Sequence, residues 1–197
     1  MRRLFLVFIG CLVLTAPVRA GDKAAKQSID YVRKRQAESG GFRSHDPKPD
    51  AAKVVPTLRA TSAAIRALHY LGGEIPDKTA CIKFVESCHD AESGGFSDQP
   101  KGKPEVFTTA VGLMAVTELK MPTEKYAAGA IKYLSENAKS FEEIRIAAAG
   151  LESLKAKSPR NADWLNEVMK LRNQDGSFGS GLGQARATGG KIGRAHV

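Results

Sequence analysis

The sequence Glu-Ser-Gly-Gly-Phe occurs twice in the chain, at residues 38–42 and again at residues 92–96. Each copy follows a stretch with the apolar spacing of an amphipathic helix and precedes a second, alanine-rich stretch of the same kind. A match placed between corresponding helices indicates an internal repeat rather than a chance coincidence. The repeated unit is therefore a pair of helices joined by a Gly-Gly-aromatic turn, and such units stack because one unit alone cannot bury its apolar face.

The second helices of the first three units share one apolar spacing. In the first unit, from about Thr57 to Leu71, it comprises Thr61, Ala64, Ile65, Leu68 and Leu71. In the second unit, from about Glu105 to Leu119, the same positions hold Thr109, Gly112, Leu113, Val116 and Leu119. In the third they hold Ile144, Ala147, Ala148, Leu151 and Leu154. This common register predicts that the three helices occupy equivalent places.

Local sequence predicts where several helices begin and end. The first helices begin near Asp22, after Asp77 and after Thr123, since Asp and Thr are favoured caps. The third unit lacks the glycine turn and re-enters a helix at Ser140, which forms a capping box with Glu143. A fourth unit has a first helix around Trp164–Leu171, the turn Asn173–Gly179, and Arg186-Ala187-Thr188 in the place of Arg59-Ala60-Thr61.

These patterns predict an all-α chain of about three and a half helix pairs, with no alternating stretch typical of a strand. The second helices are poorer in charge and richer in Ala and Gly than the first ones, which favours close approach between helices. We therefore expect the second helices to form an inner layer and the first helices an outer layer. An open solenoid is the alternative to a ring.

The N-terminal residues have the pattern of a secretory leader. Met1-Arg2-Arg3 is basic, residues 4–14 are apolar, and small residues precede a cleavage point after Ala20. The apolar run is shorter than the roughly 20 residues that a membrane-spanning helix needs. We expect residues 1–20 to be a cleaved signal peptide and the protein to be secreted or periplasmic, with lipidation at Cys11 as the alternative.

The C-terminal residues 191–197 are expected not to belong to the native protein. Codons for Ile192–Val197 can reproduce the start of a common sequencing adapter, and an ordinary tail is the alternative. We expect the repeat domain to be residues 21–190 and its gene to run on. The chain carries a net charge of +9, but five positive charges lie in the two terminal segments, which have no acids. A domain of about +4 with interspersed acids is not typical of a nucleic-acid-binding protein.

Cys81 and Cys88 are not predicted to form a disulfide. They lie seven residues apart on one helix, about 10.5 Å along its axis, whereas a disulfide needs Cα atoms within about 7 Å. Because they share a face with Phe84 and Val85, we expect small buried core residues. His89 is adjacent, but no second pair of ligands has metal-binding spacing.

Two of the turn regions resemble a known family. Residues 94–100, Gly-Gly-Phe-Ser-Asp-Gln-Pro, followed by residues 107–113, Phe-Thr-Thr-Ala-Val-Gly-Leu, resemble a repeat of protein prenyltransferase β subunits, especially of the type-2 geranylgeranyl kind. Residues 173–179 are similar to the glutamine-aromatic repeats of squalene and other terpene cyclases. The resemblance extends over about residues 25–190. It implies an α/α toroid, in which helix pairs close around an apolar cavity, and the units visible here make an incomplete ring.

The catalytic residues that this resemblance implies do not occur in the sequence. Prenyltransferases bind zinc with an Asp-x-Cys and a later His, but no Asp-x-Cys is present and Thr108 stands where the His would be. The Asp-x-Asp-Asp acid of cyclases and the Gly-Cys-Gly-Glu-Gln thioester motif of the related complement domains are also missing. No catalytic or metal-binding residue is therefore assigned, and no cofactor is evident, unless zinc ligands lie beyond Gly190.

Basic residues are the remaining candidates for a site. The loops after the turns, where the family places diphosphate-binding cations, contain Arg43, Lys48, Lys53, Lys101 and Lys103. Arg59 and Arg186 each open an inner helix, where a cation does not complement the helix dipole, so their repetition suggests a role. We take Arg59, Lys101, Lys103 and Arg186 as the candidate anion- or ligand-binding residues.

Two functions remain open at this point. The first is an exported, non-catalytic binding or scaffold module, with an apolar or isoprenoid ligand or a protein partner. The alternative is a prenyltransferase-like transferase or terpenoid cyclase whose catalytic residues lie beyond the visible sequence, so whether the protein is an enzyme is undecided. A carbohydrate-active toroid is disfavoured, because the glutamates of the inner helices show no evident facing pair.

Overall fold

The structure, a computed structural model, describes residues 20–45 and 54–179, which form an all-α chain. The helices in these ranges are α1 (Ala20–Arg33), α2 (Leu58–Leu71), α3 (Lys78–Ser87), α4 (Val106–Glu118), α5 (Glu124–Asn137), α6 (Phe141–Ser153) and α7 (Asn161–Met169). The predicted fold class is confirmed. Residues 1–19 of the predicted leader, residues 46–53 of the first loop, Arg186 and the tail lie outside the described residues.

The helices alternate between an inner and an outer layer. The inner helices α2, α4 and α6 pack side by side with α4 in the middle, while α1 packs on α2, α3 on α4 and α7 on α6. The α4–α6 contact is close because Gly150 has no side chain: a Cβ there would lie 2.8 Å from the Cα of Ala110. The inner layer that the small residues predict is therefore present.

The Gly-Gly-Phe turns are built alike and attach each outer helix to its inner helix. Phe42 and Phe96 are fully buried, and their backbone N–H groups donate to the hydroxyls of Thr61 and Thr109 at 2.9 Å in both units. Gly94 adopts φ +75°, in the left-handed region that glycine enters at little cost. Phe178, in the fourth unit's turn, is buried in the same way. The turn is thus a repeated structural joint.

The predicted caps are mostly confirmed. The side chain of Asp77 accepts the N–H of Ala80 at 2.8 Å, and Ser140 forms a capping box with Glu143. Thr123 stands at the N-cap position of α5 as predicted, but its side chain makes no capping hydrogen bond, and its backbone is already helical with φ −66° and ψ −30°. An N-cap needs an extended backbone to turn its side chain towards the following N–H groups.

The two helix-borne cysteines lie in the hydrophobic core. Cys81 and Cys88 are free thiols, almost completely buried, and they pack in the same cluster as Phe84 and Val85. This confirms the expectation of small core residues.

Candidate binding surface on the inner helices

The side of the inner helices that faces away from the outer helices forms one continuous surface, which we call the hollow face. It consists of the same four positions on each helix, and all of its members are partly or largely exposed. They are Arg59, Ala63, Arg66 and Tyr70 on α2, Phe107, Val111, Met114 and Glu118 on α4, and Glu142, Ile146, Ala149 and Ser153 on α6.

The middle of the hollow face is largely apolar and its ends are polar. Val111 and Ile146 occupy the same repeat position on α4 and α6, and Met114 follows about one turn later on α4. Near the C-terminal ends of the helices, a groove of about 250 Å³ runs along α2, α4 and α6, between Tyr70 and Ser153. The apolar spacing in the sequence predicted which side of these helices is buried. It did not identify the exposed side opposite, although the same repeat register indicates it.

The C-terminal end of the hollow face is crossed by polar contacts between α2 and α4. Nδ1 of His69 lies 2.6 Å from a carboxylate oxygen of Glu118, and Nη1 of Arg66 lies 3.7 Å from the sulfur of Met114. These contacts fix the two inner helices relative to each other. They also leave the aromatic ring of Tyr70, which is 73 % exposed, available for contact.

A larger cleft of about 550 Å³, which we call the mouth cleft, lies at the N-terminal ends of the inner helices. Its lining comes from α2, α4, α5, α6 and the loop before α4: Arg59, Lys103, Pro104, Glu105, Val106, Phe107, Tyr133, Asn137 and Glu143. The hydroxyl of Tyr133 donates to the carbonyl of Pro104 at 2.9 Å, which holds the loop against α5. The cleft is continuous with the hollow face through Phe107.

Arg59 lies in the mouth cleft but already has an acidic partner. Its Nε lies 3.0 Å from Oδ2 of Asp98, and its backbone N–H donates to Oδ1 at 2.9 Å. Asp98 belongs to the loop that follows the second unit's turn, so the contact joins two units. The pair explains why a cation is tolerated at the start of α2, since the carboxylate of Asp98 supplies the negative charge that a helix N-terminus favours.

Of the other candidate cations within residues 20–45 and 54–179, only Lys103 lines the same cleft as Arg59. Lys101 is exposed at the tip of the loop, in a turn closed by the Gly102 N–H and the Gln99 carbonyl at 3.0 Å. Its φ of +60° is uncommon for a residue other than glycine. Arg186 lies outside the described residues. The structure therefore brings two of the four sequence-predicted residues together.

Acidic residues balance the positive charge of the mouth cleft. Glu105 lies beside Lys103, and Glu143 lies on the α6 side. The carboxylate of Glu143 accepts the backbone N–H groups of Ser140 and Lys139 at 2.8 and 3.0 Å, which lowers its pKa and keeps it ionised. With Asp98 also close to Arg59, the residues that the structure describes give the cleft no surplus of positive charge for a polyanion.

Thr108, Cys81 and Cys88, the side chains most relevant to prenyl-transfer chemistry, are buried in the fold. Thr108, at the position of the zinc-binding His in the similar repeats, is fully buried, and its hydroxyl donates to the carbonyls of Phe96 and Glu105. Burial raises the pKa of both Cys81 and Cys88 to about 12, with Asp77 and Asp98 respectively adding to the effect. Neither thiol is a nucleophile at neutral pH, because the thiolate is the reactive form.

Within residues 20–45 and 54–179, no three His, Cys, Asp or Glu side chains come close enough together to hold a metal ion. No helix in the same ranges combines the length and the apolar character needed to cross a membrane.

Comparison with known proteins identifies the repeats. The sequence model of the prenyltransferase α/α-toroid domain matches the chain twice, at residues 1–77 and 67–144. No curated protein matches the chain. The two matches together cover more than half of the sequence and agree with the alternating inner and outer helices. The chain belongs to the prenyltransferase α/α-toroid domain family.

Proposed function

We propose that this protein is an exported, non-catalytic binding module in which the hollow face of α2, α4 and α6 holds an elongated apolar ligand of the isoprenoid class. The observation that carries this proposal is the arrangement of the hollow face. Its middle is lined by apolar side chains such as Val111, Met114 and Ile146, and it opens at one end into the mouth cleft. Exposed apolar surface arranged in this way is typical of ligand-binding grooves.

The charges of the mouth cleft restrict the headgroup of the ligand. A diphosphate would need uncompensated cations, but Arg59 is paired with Asp98, and Lys103 lies in a cleft that also contains Glu105 and Glu143. Placing several negative charges beside these carboxylates is unfavourable. We therefore propose a neutral or zwitterionic headgroup rather than a diphosphate.

The proposal is tested by titrating the full chain with a fluorescent geranylgeraniol analogue. We expect saturable binding that the variant Val111→Glu weakens by about tenfold or more, since it places a charge in the apolar middle of the hollow face. Leu165→Glu is the matched control, because Leu165 is 57 % exposed on the outer helix α7. Absence of saturable binding, or equal loss in both variants, would contradict the proposal.

The alternative is a transferase or cyclase, which the family match favours. It needs residues that the visible sequence lacks, since Thr108 replaces the zinc-binding His and no Asp-x-Cys is present. We propose that the protein needs no zinc. Incubation of the zinc-supplemented protein with a prenyl diphosphate and a cysteine-containing peptide should give no thioether product. A product, or one tightly bound zinc per chain by elemental analysis, would establish the enzyme instead.

Export is the part of the proposal that depends on residues 1–20. It is supported by the basic start, the apolar run and the small residues before the cleavage point. Expression in a bacterial host with N-terminal sequencing of the periplasmic fraction tests it. The expected new N-terminus is Gly21, and a chain that stays in the cytoplasm with Met1 intact would contradict export.

A further inference from the structure

A pocket of about 320 Å³, which we call the rim pocket, lies between the first two units on the side of the turns. Its walls come from the first turn, the loop before α2, α3 and the loop after the second turn. The lining is mainly apolar, from Val55, Pro56, Phe84 and Pro100, with Ser39 and Lys83 among its polar residues. It shares no lining residue with the hollow face or the mouth cleft, so it is a separate feature of the surface.

The aromatic ring in the rim pocket has a counterpart in the next unit. Phe84 of α3 packs against the second glycine of the first turn, since a Cβ on Gly41 would lie 2.7 Å from its ring. Tyr133 of α5 packs against the second glycine of the second turn, since a Cβ on Gly95 would lie 3.1 Å from its ring. The two rings therefore occupy equivalent places and differ by one hydroxyl group.

That hydroxyl group has a specific partner, which the first unit leaves without a donor. Pro56 and Pro104 are equivalent, because each immediately precedes the N-cap residue of an inner helix. The Tyr133 hydroxyl donates to the carbonyl of Pro104 at 2.9 Å. Phe84 cannot do the same, and within residues 20–45 and 54–179 no donor bonds to the carbonyl of Pro56. The rim pocket thus combines an apolar lining with one backbone acceptor that its counterpart satisfies internally.

The residue before each proline also differs between the two places. Val55 precedes Pro56, whereas Lys103 precedes Pro104. Val55 is 44 % exposed and contributes an apolar wall, while Lys103 contributes a charge to the mouth cleft. Small-molecule pockets are typically apolar with a few polar groups that orient the ligand. The rim pocket has this composition.

We propose that the rim pocket binds a small apolar phenol or alcohol whose hydroxyl donates to the Pro56 carbonyl, as Tyr133 does to Pro104. A volume of about 320 Å³ is at the lower end for ligand pockets, which limits the ligand to a single ring or a short chain. Carboxylates and hydrocarbons fit less well, because neither brings a donor to the carbonyl. This inference goes beyond the proposed function, since the site and its ligand are distinct from those of the hollow face.

The test compares para-cresol with toluene, which has the same ring and methyl group but no hydroxyl, in NMR titrations of the full chain. The amide nitrogen of Thr57 is the reporter, because it belongs to the same peptide group as the Pro56 carbonyl and its chemical shift responds when that carbonyl accepts a hydrogen bond. We expect para-cresol to shift it saturably. Toluene should bind roughly threefold to tenfold more weakly, which corresponds to the loss of one hydrogen bond.

Phe84→Tyr tests the missing donor directly. The new hydroxyl should bond to Pro56 as that of Tyr133 bonds to Pro104, so the preference for para-cresol over toluene should disappear. Phe141→Tyr is the matched control, because it adds a hydroxyl to a ring on α6 that does not line the rim pocket, and it should preserve the preference.

Val55→Lys provides a second test that does not alter the core. Because Val55 is largely exposed, the change should leave the fold intact, and a charge in the apolar wall should weaken both ligands by about fivefold or more. Equal affinity for the two ligands in the unmodified protein, a Thr57 amide that does not respond to para-cresol, or a preference that survives Phe84→Tyr would each overturn the proposal. Unchanged para-cresol binding by Val55→Lys would overturn it even if Phe84→Tyr failed to fold.

Discussion

The carboxylate of Asp98 binds both the backbone N–H and the Nε of Arg59, at 2.9 and 3.0 Å, although the two residues are 39 positions apart. The carbonyl of Asp98 also accepts the N–H of Leu58 at 2.8 Å. The first N–H groups of a helix have no partner within the helix. Asp98 therefore caps α2 from the loop of the following unit and ties the two units together.

We expect Asp98→Ala to destabilise the protein by roughly 1–2 kcal/mol, because it leaves the backbone N–H of Arg59, in the first turn of α2, without its acceptor. Arg59→Ala should cost less, about 0–1 kcal/mol, because its side chain is 52 % exposed and water screens the ion pair. Asp98→Asn, which keeps an acceptor oxygen, should fall between them. Urea unfolding of the three variants measures these differences, and an equal loss for Arg59→Ala and Asp98→Ala would contradict the capping role.

Gly94→Ala should destabilise the protein by about 3 kcal/mol or more. The turn requires φ +75° at Gly94, and a Cβ there would lie 2.4–2.7 Å from backbone atoms of Gly129 on α5. Gly72→Ala is the matched control, since Gly72 has φ +72° with nothing within 4 Å of the added Cβ. It should cost only the backbone strain, about 1–2 kcal/mol. Similar midpoints of thermal unfolding for the two variants would show that the contact with α5 is not close.

Cys81 and Cys88 should be inert in the folded protein. Their pKa of about 12 leaves roughly one ten-thousandth of each thiol as thiolate at pH 8. In a Cys11→Ser variant, we expect no reaction with a disulfide reagent until denaturant is added, and two thiols per chain afterwards. Rapid labelling of either cysteine without denaturant would mean that α3 does not pack as described.

Acid should destabilise the protein through His89. Its ring packs against those of Phe96 and Tyr126, with ring centroids 4.8 and 5.0 Å away. Burial lowers the pKa of His89, and the nearby Lys125 acts in the same direction, against a smaller opposing effect of Asp90. The unfolded chain then binds a proton near pH 6.5 while the folded chain resists it, so stability falls as the pH drops below about 6.5.

The variant His89→Phe keeps an aromatic ring at this place and removes the titrating group. Between about pH 7.5 and 5.5, we expect the free energy of unfolding to fall more steeply in the unmodified protein than in the variant. Parallel pH profiles of the two proteins in urea unfolding would exclude His89 as the cause.

The repeat architecture could be predicted from sequence because its causes are local. The turn at residues 92–96, the cap at Asp77 and the capping box at Ser140 each depend on residues within a few positions, and all three are present. The shared register of the inner helices then predicted which side each helix buries. Thr123 lies at the start of α5 as its residue type predicted, but its helical backbone keeps the side chain from making the capping hydrogen bond.

The site was less predictable because its contacts are not local. Arg59 and Lys103, two of the four candidate cations, line one cleft, but nothing near Arg59 in the sequence shows that Asp98 neutralises it. Glu143 joins the same cleft from α6, although sequence assigned it only to a capping box. The balance of charge in the cleft depends on tertiary packing, which cannot be predicted from the spacing of residues along the chain.

Photo-crosslinking with a diazirine-bearing analogue of geranylgeraniol, followed by peptide mapping, tests most directly whether the hollow face holds the ligand. We expect crosslinks within α4 and α6, centred on Val111, Met114 and Ile146, and their loss when unlabelled geranylgeraniol is added in excess. Crosslinks confined to the outer helices α1, α3, α5 or α7, or crosslinks that excess ligand does not displace, would contradict the proposed binding surface.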